Sequence, residues 1–385
     1  MSLPEVAAGP KTLRVVQIGV GGHGQSHLHV METLSGEGRL RLAAVADPFE
    51  SRLPELSARM RTAGVPWFAD YRDLLRQGPE ADLVVITTPI ALHEEMTLEA
   101  LRSTRSRILL EKPAVPTVAQ LERLIAADPS RRVRVGYQML HWPEVRTLRH
   151  WIGDGELGPL RRVTVTAGWP RDDAYYRRSS WAGRMCMDGR MVYDGPATNA
   201  LSHLLCLVCF LLGGDGAFAR PRGVRGWLAR ARDIESYDTF HSTCTVGETE
   251  VRVLLTHAVA EKVPFRIEIE GARTSAALEE DLPRLTRRDL GVWAGPAAAR
   301  SDKAPMYRRI SAEAEDFDDM PGTVWDLRGL TAWTEELRLA ASIRQIDPAL
   351  IRRTAGGISA VAGMEEALRA FRAGGPEPAE ILTAP

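Results

Sequence analysis

The stretch Leu13 to Gly24 (Leu-Arg-Val-Val-Gln-Ile-Gly-Val-Gly-Gly-His-Gly) restricts the fold more than any other part of the chain. A β-branched apolar run stops at a glycine cluster. Gln25 to Glu32 then follow with no helix breaker, so the pattern reads as strand, tight turn and helix. Gly19, Gly21 and Gly24 carry the G-x-G-x-x-G spacing. In such a turn the first glycine permits the sharp reversal, the second lets backbone approach a pyrophosphate, and the third lets the helix lie close to the strand. The helix start would add N–H groups and the positive end of its dipole. Glycine turns between strand and helix have many uses, so the downstream pattern has to agree.

Strands are expected at Arg39 to Ala46, Val65 to Phe68, Asp82 to Thr87, Ile108 to Leu110 and Val133 to Gly136. Helices are expected at Ser51 to Ala63, Ala91 to Leu101 and Val118 to Ala126. The strand from Asp82 is a continuous apolar run, as a parallel strand covered on both faces should be. This alternation predicts a doubly wound parallel sheet with its ligand outside the carboxyl ends of the strands. Asp47, at the end of the second strand, is placed to accept hydrogen bonds from an adenosine ribose. An acid there favours NAD over NADP, with Arg52 leaving NADP open. By position, Gly22, the backbone of His23, Thr87, Thr88, Pro89, His93 and Glu111 join the cofactor-binding set. The side chains of His23 and His27 read as structural.

From about Trp142 the pattern changes. After a helix at Glu144 to Ile152, alternating segments run at Leu160 to Ala167, Val224 to Arg230, Asp238 to Val246, Glu250 to Ala258 and Phe265 to Glu270, with a hairpin turn at Gly247-Glu248. They predict a mostly antiparallel open sheet in a second, α+β domain. An acidic loop at Glu313 to Gly322 and helices at Thr323 to Arg344 and Ser359 to Arg372 complete it. The expected fold is thus α/β: a Rossmann-type domain at 13–140 and a substrate and oligomerisation domain at 141–374, between a loose N-terminus (1–12) and a tail (375–385). An open sheet with one apolar face calls for a second subunit, so a homodimer or homotetramer through that sheet is expected.

Composition narrows the function. A net charge of −1 gives no reason to expect nucleic acid or a membrane surface as partner. The longest apolar run, Leu204 to Leu212, is far short of the ~20 residues of a membrane span. Met1 to Thr12 lacks the apolar core of a signal peptide. Cys186, Cys206, Cys209 and Cys244 read as free thiols, no metal site is expected, and a cytoplasmic location follows. Of 49 basic residues only Lys11, Lys112, Lys262 and Lys303 are lysine. A lysine kept at a required position therefore stands out, because Lys, unlike Arg, can lose its proton when partly desolvated.

Four patterns occur together: the glycine turn, Thr88-Pro89-x-x-x-His93, Glu111-Lys112-Pro113 after the fifth strand, and Gly136-Tyr137-Gln138 after the sixth. In combination, order and spacing they resemble the glucose–fructose oxidoreductase / inositol dehydrogenase / MocA family, and Gly155-x-x-Gly158 extends the likeness into the second domain. The resemblance implies a nicotinamide-dependent oxidoreductase moving a hydride to or from a secondary alcohol or ketone of a sugar or polyol. Lys112 would then orient the substrate hydroxyl and assist proton transfer, and Pro113 would hold the preceding bond rigid, with cis accessible to it.

The family's run G-G-G-x-x-x-D-x-G-x-H-x-x-D aligns with Tyr193 to Cys206. His203 falls on the family histidine, while Asn199 and Cys206 replace the two acids. Asn199, His203 and Cys206 are expected on one helix face, with His203 catalytic beside Lys112. The substrate set is Tyr137, Asp194, Asn199, His203 and Trp181, with Trp169 and Tyr193 as further wall candidates. Two other readings stay open: a redox-neutral NAD-dependent glycosidase, which the resemblance also implies because some family members are such enzymes, and, because of the replaced acids, a cofactor-sensing protein without turnover. His241 and His257 have no identifiable partner in the sequence.

Overall fold

Six short parallel strands, β1 (Leu13–Ile18), β2 (Leu40–Ala46), β3 (Trp67–Phe68), β4 (Leu83–Ile86), β5 (Arg107–Leu110) and β6 (Val133–Val135), form one sheet in the order β3-β2-β1-β4-β5-β6. The structure, a computed structural model, describes residues 12–214, 217–280, 284–293, 303–311, 317–354 and 357–375. Helices α1 (Gly24–Gly36), α2 (Pro54–Thr62), α3 (Tyr71–Gln77), α4 (His93–Ser103) and α5 (Val118–Ala127) connect the strands. Local chemistry marks their starts. Proline occupies the first turn of α2, where a missing N–H costs nothing, and the Asp70 carboxylate caps α3 by accepting the Arg72 N–H at 2.7 Å. All four residues of β4 are buried, as its apolar run requires. Strand order reverses between β1 and β4, which puts the crevice for a ligand at their carboxyl ends.

The chain divides into two compact units: 1–114, 122–138 and 301–325 make up the first, and 115–121, 139–300 and 326–385 the second. The segment 301–325 therefore belongs with the parallel sheet. Its helix α9 (Ala304–Ile310) sends Met306, Tyr307 and Ile310 into the same core as Leu28 and Met31 of α1. Beyond it, the buried Arg134 guanidinium donates to the carbonyls of Met320 (3.0 Å) and Phe317 (2.8 Å). Of the expected acidic loop, 312–316 lie outside the described residues, and Phe317 and Met320 are core residues rather than loop.

The second unit carries α6 (Pro143–Gly153), β7 (Leu160–Gly168), α7 (Asp173–Arg177), the β8 (Cys186–Met187) and β9 (Arg190–Met191) pair and α8 (Ser202–Leu212). Next come β10 (Arg222–Arg230), β11 (Thr239–Val246), β12 (Thr249–Thr256), β13 (Val263–Gly271), β14 (Ser275–Glu279), β15 (Arg284–Arg287) and β16 (Gly291–Trp293). The chain ends with α10 (Arg328–Ala340), β17 (Ile343–Gln345), β18 (Ile351–Thr354), β19 (Gly357–Val361) and α11 (Met364–Arg372). Nine strands form a mixed, mostly antiparallel sheet, β16-β15-β14-β13-β7-β12-β11-β10-β17, in which β12–β7 and β10–β17 are the parallel pairs. The two terminal helices are shorter than expected: residues 343–345 and 357–361 are extended, where Ile343, Ile351 and Val361 supply β-branched side chains.

One face of this sheet meets α10, whose Trp333 indole donates to Ser242 Oγ at 2.9 Å. The other face was expected to be apolar and open. Instead the chain covers part of it: α11 sets Met364, Leu368 and Phe371 against Trp227, Ala229 and Leu254. His241 stacks on Trp227 with ring centroids 5.2 Å apart and meets Phe371 edge-on at 5.5 Å; burial and the Arg252 charge hold its pKa at about 4. Farther along the same face the side chains are charged, with Arg162 paired to Glu250 at 2.8 Å and Arg266 paired to Glu279 and Glu268. Replacing Phe371, which is fully buried, by Ala should cost about 3–5 kcal/mol. Chemical denaturation followed by tryptophan fluorescence measures this, and a loss under about 1 kcal/mol would show that α11 is not part of the core.

Candidate active site

The glycine turn is built as its spacing requires. Gly19 has φ +83°, a conformation costly for any residue with a Cβ, and its N–H donates to the Ala46 carbonyl at 2.8 Å. A Cβ at Gly24 would run into the Gly19 carbonyl oxygen, which is why α1 can start so close to β1. At Gly21 a Cβ would meet only Asp47 Oδ2 and Leu53 at 3.9 Å, and at Gly22 it would meet nothing within 4 Å. Backbone therefore faces open space at these two positions, as the approach of a pyrophosphate requires. Gln17, buried beneath the turn, pins it by donating from Nε2 to the carbonyls of Gly19 (2.9 Å) and Gly24 (3.0 Å) and to Thr87 Oγ1 (3.0 Å). Motif spacing does not mark Gln17; a polar residue inside an apolar strand is the signal that could have found it.

Along the carboxyl ends of the strands the other expected residues fall in sheet order. Asp47 follows β2 and accepts the N–H groups of Val20 at 3.0 Å and Gly21 at 3.3 Å through Oδ2, and that of Phe49 at 2.9 Å through Oδ1. A carboxylate offers about four acceptor positions, so capacity for ribose hydroxyls remains. Thr87 follows β4 and its hydroxyl donates to the Ile18 carbonyl at 3.2 Å. Thr88 Oγ1 contacts Met96 Sδ at 3.4 Å, and Pro89 opens the short turn ahead of α4. His93 turns both ring nitrogens to backbone, Nε2 to the Thr88 carbonyl at 2.8 Å and Nδ1 to the Pro113 carbonyl at 2.9 Å; burial lowers its pKa, and the ring ties the two turns together.

Glu111, the acid after β5, is the centre of a network that reading by motif did not foresee. Its Oε1 lies 3.2 Å from Lys303 Nζ, 3.2 Å from His27 Nε2 and 3.1 Å from His23 Nε2, while Oε2 accepts the Lys112 N–H. Burial alone pushes this carboxyl up, but the Lys303 ammonium, the two imidazoles and the Lys112 charge more than reverse it, so Glu111 sits well below the usual carboxylate range. Burial and the same ammonium bring His27 down to about 4. A neutral His27 that donates from Nε2 to the ionised acid must accept at Nδ1, where the Tyr307 hydroxyl lies 2.7 Å away. The proton positions along Tyr307, His27 and Glu111 are thereby determined.

His23, His27 and Glu111 offer three ligand atoms within 4.8 Å of one another, a spacing open to a metal ion. The Lys303 ammonium is 3.2 Å from the same Glu111 oxygen, so the position is already served by a protein cation and a second one would be repelled. Lys112 is half-buried, and its bond to Pro113 is cis. Tyr137, after β6, is buried.

In the second unit Asp194 is held by the Gly183 N–H (2.8 Å, to Oδ2) and by the Asn199 amide nitrogen (2.8 Å, to Oδ1). Asn199 is not on the helix of His203. Residues 197–201 form successive turns over Tyr237, against which a Cβ at Gly195 would collide, and α8 begins only at Ser202. His203 lies in the first turn of α8 and is buried. Cys206 does not share a cleft with these residues: it is fully enclosed, and burial raises its thiol well above the ordinary value. Tyr193 is core, its hydroxyl donating to the Thr334 carbonyl at 3.3 Å. Trp181 is half-buried beneath the Arg178 guanidinium (5.1 Å), and the Trp169 indole donates to Glu280 at 3.2 Å. His257 has a partner after all, the Trp169 carbonyl, 2.8 Å from Nδ1.

A glycine-turn parallel sheet with a charged motif after its fifth strand, joined to a large mixed sheet, defines a Rossmann-type oxidoreductase. Residues 13–139 match the oxidoreductase family with an NAD-binding Rossmann fold, and residues 145–277 match the GFO/IDH/MocA C-terminal domain. The chain belongs to the GFO/IDH/MocA family. Inositol 2-dehydrogenase of Mycolicibacterium smegmatis is 31% identical over 337 residues, 82% of this chain and 89% of that protein. The WlbA dehydrogenase of Bordetella pertussis, solved with NADH and UDP-GlcNAcA, is similar in fold with a TM-score of 0.70, at 21% identity over 86% of this chain and 96% of that one. Levoglucosan dehydrogenase, solved with NADH, gives a TM-score of 0.71 at 16% identity over 86% of this chain and 97% of that one.

Removing the Lys303 charge tests the Glu111 network. Lys303→Met strands a buried carboxylate and should cost about 3–5 kcal/mol at pH 8. Without the ammonium, burial raises the Glu111 pKa above its unfolded value, so the folded variant binds the extra proton and regains stability as pH falls. Denaturation at pH 8 and pH 5 reads this: the deficit against wild type should shrink at pH 5, and an equal deficit at both would show that Glu111 does not depend on Lys303.

Proposed function

We propose that the protein is an NAD-dependent dehydrogenase acting on a CH–OH group of a sugar, polyol or related small molecule, with Lys112 at the reacting end of the cofactor. The observation that carries this is the position of Glu111-Lys112-Pro113 at the carboxyl end of β5, two strands from the glycine turn in a sheet whose crevice opens beside β1 and β4. The dehydrogenase names of the relatives support the substrate class.

Gly19 to Gly24 would hold the pyrophosphate, Asp47 the adenosine ribose, and Thr87 to Pro89 the remainder. Bound nicotinamide supplies the hydride acceptor or donor. The chain's own part is to position the alcohol and manage its proton. Oxidising the carbinol releases two electrons and a proton from carbon as hydride and a second proton from oxygen. We assign that second proton to Lys112, which can take it in the neutral form and return it in the reverse direction, and keep His203 as the alternative carrier that the motif implies. Glu111 is spent on its own network and serves by fixing the Lys112 backbone through Oε2.

Self-association, expected as a homodimer or homotetramer, is assigned to the part of the large sheet that α11 leaves to Arg162, Arg266 and Glu270, and it would be salt-sensitive for that reason. A cytoplasmic location is proposed with it, in keeping with four free thiols.

Lys112→Ala should lower kcat by about 100-fold to 10,000-fold, followed as NADH absorbance with a sugar or polyol that the wild type oxidises. Turnover within a few-fold of wild type would remove Lys112 from the mechanism.

A further inference from the structure

The segment 171–181 of the second unit brings more positive charge to one place than its own acids balance. Arg171 and Arg178 approach the ring of Tyr175, with guanidinium carbons 4.3 Å and 3.9 Å from its centroid, and Arg178 also lies over Trp181 at 5.1 Å. Neither forms an ion pair with a carboxylate among the described residues, whereas Arg232 nearby is paired to Asp238 at 3.1 Å and Asp173 at 3.8 Å. The two guanidinium groups are thus gathered over one half-buried ring with their forks not engaged by a carboxylate among the described residues.

Three buried polar atoms of the segment, Arg171 Nε, Tyr176 Oη and Ser179 Oγ, lack a hydrogen-bond partner among the described residues. Buried polar groups are nearly always satisfied, so three in one short stretch point to a polar ligand. The segment also adjoins the substrate candidates. Burial raises the Tyr175 phenol and the Asp194 charge adds to it, while the charges of Arg171 and Arg178 oppose them, so Asp194 and both arginines act on one hydroxyl. Asp194 in turn holds Asn199 and the Gly183 backbone.

We propose that Arg171 and Arg178 form a subsite for an anionic group, carboxylate or phosphate, on the sugar-like substrate. This rests on the reading of the second unit as the substrate-binding one. A planar guanidinium pair can grip such oxygens in bidentate fashion, and stacking on Tyr175 pre-orders both forks. The substrate class narrows from sugars and polyols in general to acidic or phosphorylated ones.

The test uses the full chain with saturating NAD and three matched probes: D-glucose, D-glucuronate and D-glucose 6-phosphate. Melting temperature and initial rate are read for each in wild type, Arg171→Gln, Arg178→Gln and Arg171→Lys. At least one anion should raise the melting temperature where glucose does not, or exceed glucose in kcat/KM at least tenfold. Both Gln variants should cut that advantage at least tenfold, and Lys should restore part of it. Glucuronate against glucose 6-phosphate decides between carboxylate and phosphate. The proposal is overturned if neither anion outperforms glucose, or if the advantage survives both Gln substitutions. Arg-dependent stabilisation by an anion with no NADH formed from any probe would keep the subsite and remove these three sugars as substrates. Glucose turnover that fell in both Gln variants as far as turnover of the anions would remove the subsite and keep the dehydrogenase reading.

Discussion

A carboxylate enclosed as fully as Glu111 costs several kcal/mol to strip of water and persists only where other groups replace that water. Here the replacement is nearly complete: an ammonium, two imidazoles and a backbone N–H converge on its two oxygens. The elements that supply them are α1, the lead-in to α9 and the turn after β5, which belong to three distant parts of the chain. The ion pair therefore ties the glycine-turn helix to the motif that follows β5. Segment 301–325 must pack on the parallel sheet for the arrangement to exist, because it brings both Lys303 and Tyr307.

This arrangement also divides labour within the motif. The acid, saturated by its neighbours, is a poor base and a good anchor, and the proton chemistry proposed for the motif is assigned to the adjoining lysine. Asp47 shows a related economy: the carboxylate expected on a ribose also accepts the N–H groups of Val20 and Gly21, so the residue proposed to read the cofactor helps shape the glycine turn. His93 spans the turns after β4 and β5 in the same way. Each cofactor-side turn is thus held by side chains from another, and the crevice is pre-formed rather than assembled around a ligand.

The parallel sheet could be read from the sequence because its central strands β4 and β5 are buried apolar runs and the turns carry glycine, proline or an acid. Period and punctuation are local signals. The Glu111 network depends on tertiary return, and nothing near residue 303 announces that the chain goes back to the first unit. One clue was available: the scarcity of lysine that singled out Lys112 applied equally to Lys303. The covered face of the large sheet was missed for a similar reason. Alternation along β10 to β12 shows that a face is apolar but not what lies on it, and α11 is encoded more than a hundred residues after β12.

The departures at Asn199 and Cys206 have separate physical reasons. Position 206 lies in a helix whose first ten residues are all buried, so an acid there would need a partner that these surroundings do not offer, and a thiol is the inexpensive substitute. Position 199 stands in a turn, not on the helix, and its amide donates to Asp194. A carboxylate at 199 would face Asp194 within hydrogen-bond distance, and two like charges so close cannot both stay ionised. Asn199 is therefore the residue compatible with an acid at 194, and the pair keeps a single negative charge ahead of α8. One of the two motif charges is thus present at 194 in place of 199 and the other is absent, and the retained acid favours retained chemistry over a cofactor-binding shell.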